Sequence, residues 1–182
     1  MLFINYLDIK LYRAYNTVMI KDPFDTVREQ WQQERPDLDS SGAEVVWRIS
    51  FLHKYLKKMA SKKLDRYDLP IGSFDVLAAL RRNGPPFQAA PTALCEATLL
   101  TSGAMTNRLD RLEESGMVER MPDPGDRRGI IIQLTPAGKA LVDETAKVRF
   151  EQANDAVSAL TSSERRQLAA LLRKLVVDHT SD

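Results

Sequence analysis

The chain has 182 residues, a net charge of +1, and 43% hydrophobic against 28% charged residues. This length fits one domain or two joined subdomains with a real core. The balanced charge excludes a uniformly basic surface, so any nucleic-acid contact has to be local. The single cysteine excludes an intramolecular disulfide and favours a cytoplasmic location. No apolar run reaches the roughly 20 residues that span a bilayer, so no membrane partner is expected.

The first twenty residues are apolar, but Asp8, Lys10 and Arg13 interrupt them and no small-residue cleavage site follows. A signal peptide is therefore not expected. Two alternatives stay open for this segment. It could form a helical stripe that serves as a dimer arm, or it could be upstream sequence before a true start at Met19.

Hydrophobic periodicity predicts two helices in the next part of the chain. The first covers 23–35 and ends before Pro36, and the second runs from the turn-rich segment 36–42 to about Arg66. Apolar residues recur along the second helix at steps of four and three, which indicates one buried face; they are Val45, Ile49, Leu52, Leu56 and Met59. Its surface from Lys57 to Arg66 is basic, which indicates either a solvated face or a patch that contacts phosphates or an acidic partner.

The sequence then predicts a helix over 71–82, a firm stop at 83–86, a short helix over 91–97 and a turn over 98–102. Another helix follows, with Thr101 or Ser102 as its N-cap and Gly116 as a left-handed C-cap. Met105, Leu109 and Leu112 form its buried face, at helical spacing.

Two strands, 117–121 and 129–134, are predicted next. The segment between them, 122–126, contains two prolines and a glycine, and it is not expected to continue either strand. Thr135 caps a long helix over 137–159. A capping box formed by Thr161 and Glu164 starts the final helix over 162–178, whose leucine stripe belongs either to the core or to a dimer interface.

This order of elements predicts a mostly α fold with a small β-hairpin wing, a winged helix-turn-helix flanked by long N- and C-terminal helices. The expected division is an N-terminal extension and short helix (1–42), a long joining helix (43–69), a DNA-binding unit (70–135) and C-terminal helices (136–182), for which dimerisation is one of the two alternatives.

The stretches TSGAMTNRLDRLEESGMVER and DPGDRRGIIIQLTPAG resemble the MarR family of transcriptional regulators. The wing of that family carries Asp-x-Arg followed by a strand and Leu-Thr, and here the pair falls on Asp126 and Arg128. The resemblance implies a homodimer that binds double-stranded DNA. It also implies a small aromatic or phenolic effector bound between the dimer helices and the DNA-binding unit, with Tyr55, Met59 and Phe74 as candidate lining residues.

The expected DNA contacts lie on the exposed face of the helix that starts at Thr101 or Ser102, and on the wing. Asn107 is able to pair with adenine, Thr106 can hydrogen-bond a base edge, and small residues allow close approach to the groove. The resemblance implies that a wing arginine enters the minor groove. The full predicted set is Ser102, Gly103, Ala104, Thr106, Asn107, Arg108, Arg111, Asp126, Arg127 and Arg128.

Other functions find little support in the sequence. Two distant histidines and one cysteine have no metal-ligand spacing, and no nucleophile elbow or phosphate loop occurs, so neither an enzyme nor a cofactor is expected. The resemblance implies an effector-responsive repressor. The alternative is a winged-helix protein-interaction module that does not bind DNA and uses the basic surface from Lys57 to Arg66.

Overall fold

Helices make up most of the chain in the computed structural model, which describes residues 21–180 without the side chains of Arg127, Arg128 and Thr180. The predicted dimer arm therefore lies outside the described residues. In chain order the elements are α1 (Pro23–Glu34), α2 (Ser41–Leu64), a 3-10 helix (Asp65–Tyr67), α3 (Ile71–Arg82), β1 (Gln88–Ala89), α4 (Pro91–Thr98), α5 (Ser102–Glu114), β2 (Val118–Asp123), β3 (Asp126–Leu134), α6 (Pro136–Ala156) and α7 (Ser162–Thr180). The predicted succession of helix, short helix, turn, helix and hairpin is confirmed.

The chain divides into two compact units at Lys57 and Lys58, inside α2. In the first unit Asp22 caps α1, accepting a hydrogen bond from the Phe24 amide at 2.8 Å. Arg48 of α2 donates to the same Asp22 carboxylate at 2.7 Å. Because its charge is compensated there, Arg48 does not add to the basic surface of α2.

The second unit contains one hydrophobic core built by the end of α2, α3, α4, α5, the sheet and α6. Buried leucine, isoleucine, valine and methionine side chains from all of these elements meet in it. They include Leu64, Val76, Leu77, Leu80, Leu94, Met105, Leu109, Leu112, Val118, Ile132 and Val142. This core fixes α5 and the hairpin in one rigid arrangement, because well-packed interiors resist small displacements.

The antiparallel sheet has the strand order β1-β3-β2. β1 was not predicted: it is two residues long, and Gln88 pairs with Gln133 far along the chain. The expectation that 122–126 continues neither strand was wrong, since Pro122 and Asp123 lie in β2 and Asp126 begins β3. A proline fits here because β2 is an edge strand, and the register shifts directly after it.

The two C-terminal helices differ from their expected bounds only at the ends. α6 ends at Ala156, three residues before the predicted 159, and α7 continues two residues beyond 178. The predicted capping box is confirmed, because the Thr161 amide donates to Glu164 Oε2 at 2.7 Å and the Glu164 amide donates to Thr161 Oγ1 at 3.3 Å.

Candidate nucleic-acid interface

Of the two predicted N-caps of helix α5, the structure has Thr101, and the helix ends before the predicted C-cap Gly116. Thr101 Oγ1 accepts a hydrogen bond from the Ala104 amide at 3.4 Å. At the other end Gly116 adopts a φ of +72°. Its amide donates to Glu113, and the next amide, that of Met117, donates to Leu112 at 2.8 Å. These two bonds form a Schellman motif, which stops the helix and turns the chain into β2.

The two faces of α5 separate as the spacing predicted. Met105, Leu109 and Leu112 are buried in the core. The opposite face carries small and polar side chains near the helix start, namely the exposed Ser102, Gly103, Thr106, Asn107 and Arg111 and the half-buried Ala104. The core therefore holds one face of α5, while the opposite face presents short polar side chains to solvent. An α-helix with such a face fits the major groove of B-DNA.

Gly103 and Thr106 show what this surface offers to a ligand. A Cβ added at Gly103 would meet nothing within 4 Å, so no contact inside the protein requires glycine there. The Thr106 hydroxyl donates to the Ser102 carbonyl at 3.0 Å. Its proton is thus engaged, and the group remains available as an acceptor, which suits an exocyclic amino group of a base.

Asn107 and Arg111 are exposed one turn apart on the same surface. Within residues 21–180 neither side chain has a hydrogen-bonding or ionic partner. An amide with both donor and acceptor, followed by a guanidinium, is the combination that reads a base edge and a neighbouring phosphate.

Arg108 lies apart from this group. Its guanidinium packs against Gly72 of α3, where a Cβ would come within 2.0 Å of Nη1, and its Nε is buried. Three residues after Met105, Arg108 falls beside the buried face, and this spacing was a signal for an inward position. Its predicted contact with DNA is untested, and the inward placement does not favour that contact.

Arg120 is the residue that the sequence analysis missed. From β2 its Nη2 lies 2.6 Å from Asp110 Oδ1, and its Nη1 pairs with Glu113 Oε2, so one guanidinium joins the wing to α5. Burial acts to lower the pKa of Arg120, but the hydrogen bonds to Asp110 and Glu113 outweigh it and the pKa is raised. The single positive charge of Arg120 also offsets part of the negative charge of these two α5 carboxylates, which would otherwise repel phosphates.

The wing tip is a tight turn at Pro124 and Gly125, where Asp123 Oδ1 accepts from the Gly125 amide at 2.7 Å. Asp126 is exposed at the start of β3 and takes part in interactions of its own. Arg127 and Arg128 follow it in β3, and the predictions about their side chains lie outside the described part of the chain.

The candidate effector residues are found in different settings. Tyr55 stacks on Phe51, with ring centroids 6.4 Å apart, and Met59 is half-buried. Phe74 is buried, and the guanidinium of Arg149 lies 5.8 Å from its ring centroid.

Unpaired donors lie on α6 beside this aromatic ring. Arg149 Nη1 donates to Gln152 Oε1 at 2.7 Å, yet Arg149 Nε and Gln152 Nε2 are buried and have no partner among the described residues. Partial burial raises the pKa of the Asp75 carboxyl, and this effect outweighs the positive charges of Arg149, Arg108 and Arg82, which act to lower the pKa. The residue as a whole is still exposed to solvent. Buried donors without a partner are unusual in a folded protein.

Two further properties concern only residues 21–180. No group of three or more histidine, cysteine, aspartate or glutamate side chains there has the arrangement of a metal site. No helix in the same range is long and apolar enough to cross a membrane.

Comparison with known proteins identifies relatives of this chain. A family model described as MarR family matches residues 67–129, which include α3 to α5 and the wing turn. The transcriptional regulator PecS from Dickeya dadantii is 37% identical over 147 residues, covering 81% of this chain and 89% of PecS.

Solved structures agree with the match to the MarR family. A mutant of MarR from E. coli, complexed with operator DNA, has a TM-score of 0.66 and 26% identity, covering 80% of this chain and 96% of that chain. BpsR from Bordetella bronchiseptica, whose DNA binding is regulated by 6-hydroxynicotinic acid, has a TM-score of 0.66 and 25% identity, covering 72% and 92%. These matches favour a DNA-binding regulator over the alternative interaction module. The chain belongs to the MarR family of transcriptional regulators.

Proposed function

We propose that this protein is a homodimeric, effector-responsive repressor in the cytoplasm that binds a specific site on double-stranded DNA. The observation that carries the proposal is the exposed face of α5, where small and polar side chains surround Asn107 while the core holds the opposite face. The relative from E. coli that was solved with operator DNA supports the same activity.

In this proposal the start of α5 lies in the major groove. Asn107 pairs with adenine, Thr106 accepts from a base amino group, and Arg111 contacts a phosphate. Gly103 allows the helix to approach closely, together with Ser102 and Ala104. On the wing, Arg128 enters the minor groove, Arg127 contacts a neighbouring phosphate and Asp126 orients an arginine. Arg120 links α5 and the wing through its ion pairs with Asp110 and Glu113.

The homodimer is supported by apolar side chains that the fold leaves exposed on α7. Leu168, Leu171, Leu172 and Leu175 recur at steps of three, one and three, and between 39% and 52% of each residue is exposed. A stripe of this length on one helix face is typical of a surface that pairs with another helix. A two-fold dimer supplies two α5 helices for the two half-sites of a symmetric operator.

The effector is proposed as a small aromatic or phenolic acid that binds near Phe74, with Met59 as a further candidate contact. Two observations support an acidic aromatic ligand. Phe74 offers a ring surface, and the buried Arg149 Nε and Gln152 Nε2 need an acceptor. The regulation of BpsR by 6-hydroxynicotinic acid provides a precedent in a similar structure.

Asn107→Ala tests whether α5 recognises the DNA sequence through Asn107. We expect it to weaken binding to a selected site by about 1–3 kcal/mol, roughly 5- to 150-fold, and to leave binding to random duplex nearly unchanged. The measurement is a titration of both duplexes by fluorescence anisotropy. Asn154→Ala, which removes an exposed asparagine on α6, is the matched control. Equal losses on both duplexes would show that Asn107 does not read a base.

Gly103→Ala separates the stability of α5 from its fit to DNA. Because the added methyl meets open space and alanine favours helix, thermal unfolding should show a gain of up to about 1 kcal/mol. If α5 enters the groove as proposed, the same methyl should weaken operator binding about tenfold. A variant that is more stable and binds DNA like the parent would place Gly103 outside the contact surface.

A further inference from the structure

Three non-glycine residues within the described range adopt a left-handed backbone: Asp68 with a φ of 49°, Phe87 with 61° and Leu99 with 54°. L-residues disfavour this region because Cβ approaches the following carbonyl oxygen, whereas glycine, asparagine and aspartate tolerate it best. A bulky aliphatic residue there requires a reason.

The fold explains the left-handed backbone of Asp68 and Phe87. Asp68 is of a type that tolerates the conformation. The Phe87 side chain packs against the core, with the Arg81 guanidinium 4.9 Å and the Lys139 ammonium 5.7 Å from its ring centroid. Contacts of this kind stabilise the ring in place and offset the backbone strain.

Leu99 has neither explanation. Its amide donates to the Cys95 carbonyl and ends α4, a role that any residue with an N–H could perform. Leu99 as a whole residue is 94% exposed, while the neighbouring Leu100 packs against the core. Asparagine or glycine would make the same turn with less strain, so the leucine side chain contributes nothing to this fold that the structure records.

A single exposed leucine is ordinary on a protein surface. Leu99 differs because a strained backbone accompanies nearly full exposure, and because of where it lies. It is two residues before Thr101, the N-cap of α5, and the exposed Ser102 and Gly103 follow directly. Its surface is therefore continuous with the proposed DNA interface.

We propose that Leu99 is a DNA contact whose side chain packs on apolar groups of the duplex, either a thymine 5-methyl group or deoxyribose carbons. This inference rests on the proposed function. An aliphatic side chain gains nothing from phosphate, and these are the apolar groups that DNA presents at a groove edge. The leucine surface, nearly all of it exposed in the free protein, would be removed from water on binding.

The test compares Leu99→Asn with Leu99→Met. Asparagine tolerates the left-handed backbone but removes the apolar surface, so Tm should rise by about 2–4 °C and the affinity for a selected operator should fall about three- to tenfold. Methionine keeps an apolar side chain of similar volume on the same backbone. It should leave Tm and affinity close to those of the parent.

Operators in which deoxyuridine replaces thymidine identify the apolar group. If the parent loses affinity on such a duplex and the asparagine variant does not, the partner of Leu99 is a thymine methyl group. If the asparagine variant is weaker than the parent by the same factor on both duplexes, the partner is deoxyribose.

Three results would overturn the inference: unchanged affinity of Leu99→Asn, a fall in its Tm, or a change in its sedimentation that accounts for the lost binding. The first would show no DNA contact, and the others would give Leu99 a role within the protein. These results leave the proposed function intact as long as the parent binds its operator. A parent that binds no duplex would contradict the proposed function itself.

Discussion

Replacing Leu168, Leu172 and Leu175 of α7 together with serine should convert the protein from a dimer to a monomer and abolish tight operator binding. Each of these leucines keeps about 40% of its surface exposed within the single chain. Burying that remainder is worth about 1 kcal/mol per leucine, so three leucines in each of two chains contribute about 6 kcal/mol. This corresponds to about a 10⁴-fold weaker dimer.

Loss of DNA binding should accompany loss of the dimer, because the monomer presents one α5 helix where the dimer presents two. We expect operator affinity to fall by at least about 100-fold. Sedimentation velocity measures the mass of the protein, and anisotropy measures its affinity at the same concentrations.

A double substitution on the other side of α7 serves as the control. Gln167→Ser with Ala170→Ser changes two exposed residues outside the leucine stripe without altering charge, and this variant should remain dimeric. If the triple variant still sediments as a folded dimer, α7 is not the interface and its leucines have another role.

Gly138→Ala should be strongly destabilising. An alanine Cβ at this position in the first turn of α6 would lie 2.0 Å from the Met117 carbonyl oxygen. Thr135 fixes the same junction, since its hydroxyl donates to the Gly116 carbonyl at 2.7 Å and accepts from the Gly138 amide at 3.0 Å. The neighbour is backbone and cannot rotate away, so we expect a loss of about 3 kcal/mol.

Thermal unfolding checks this expectation, with all variants at one protein concentration because a dimer unfolds in a concentration-dependent way. Gly103→Ala is the matched control: it also adds a methyl in the first turn of a helix, but into open space. Equal Tm values for Gly138→Ala and the parent would show that the close approach of α6 to Met117 does not stabilise the fold.

Elements that depend on local sequence were predictable. In α5 the spacing of Met105, Leu109 and Leu112 defined the buried face, and a threonine and a glycine marked its ends. Helical periodicity and capping are properties of neighbouring residues, so a single sequence contains them. The exposed positions of the predicted reading face followed from the same periodicity.

Features that depend on distant parts of the chain were not predictable. β1 exists because Gln88 and Ala89 pair with β3, more than forty residues further on. The pairing of Arg120 with Asp110 and Glu113 requires the angle between α5 and β2, which packing sets. Pro122 could enter a strand only because β2 forms an edge, a fact of sheet topology rather than of local sequence.

Selection of bound sites from a random duplex pool tests directly whether a dimer reads DNA through two α5 helices. We expect enrichment of an inverted repeat whose half-site centres are about 10 base pairs apart, bound by two chains per duplex. Asn107→Ala, selected in parallel, should lose the preference at one position in each half-site. A pool without an enriched repeat, or a repeat that the variant selects unchanged, would show that paired α5 helices do not read the DNA in this way.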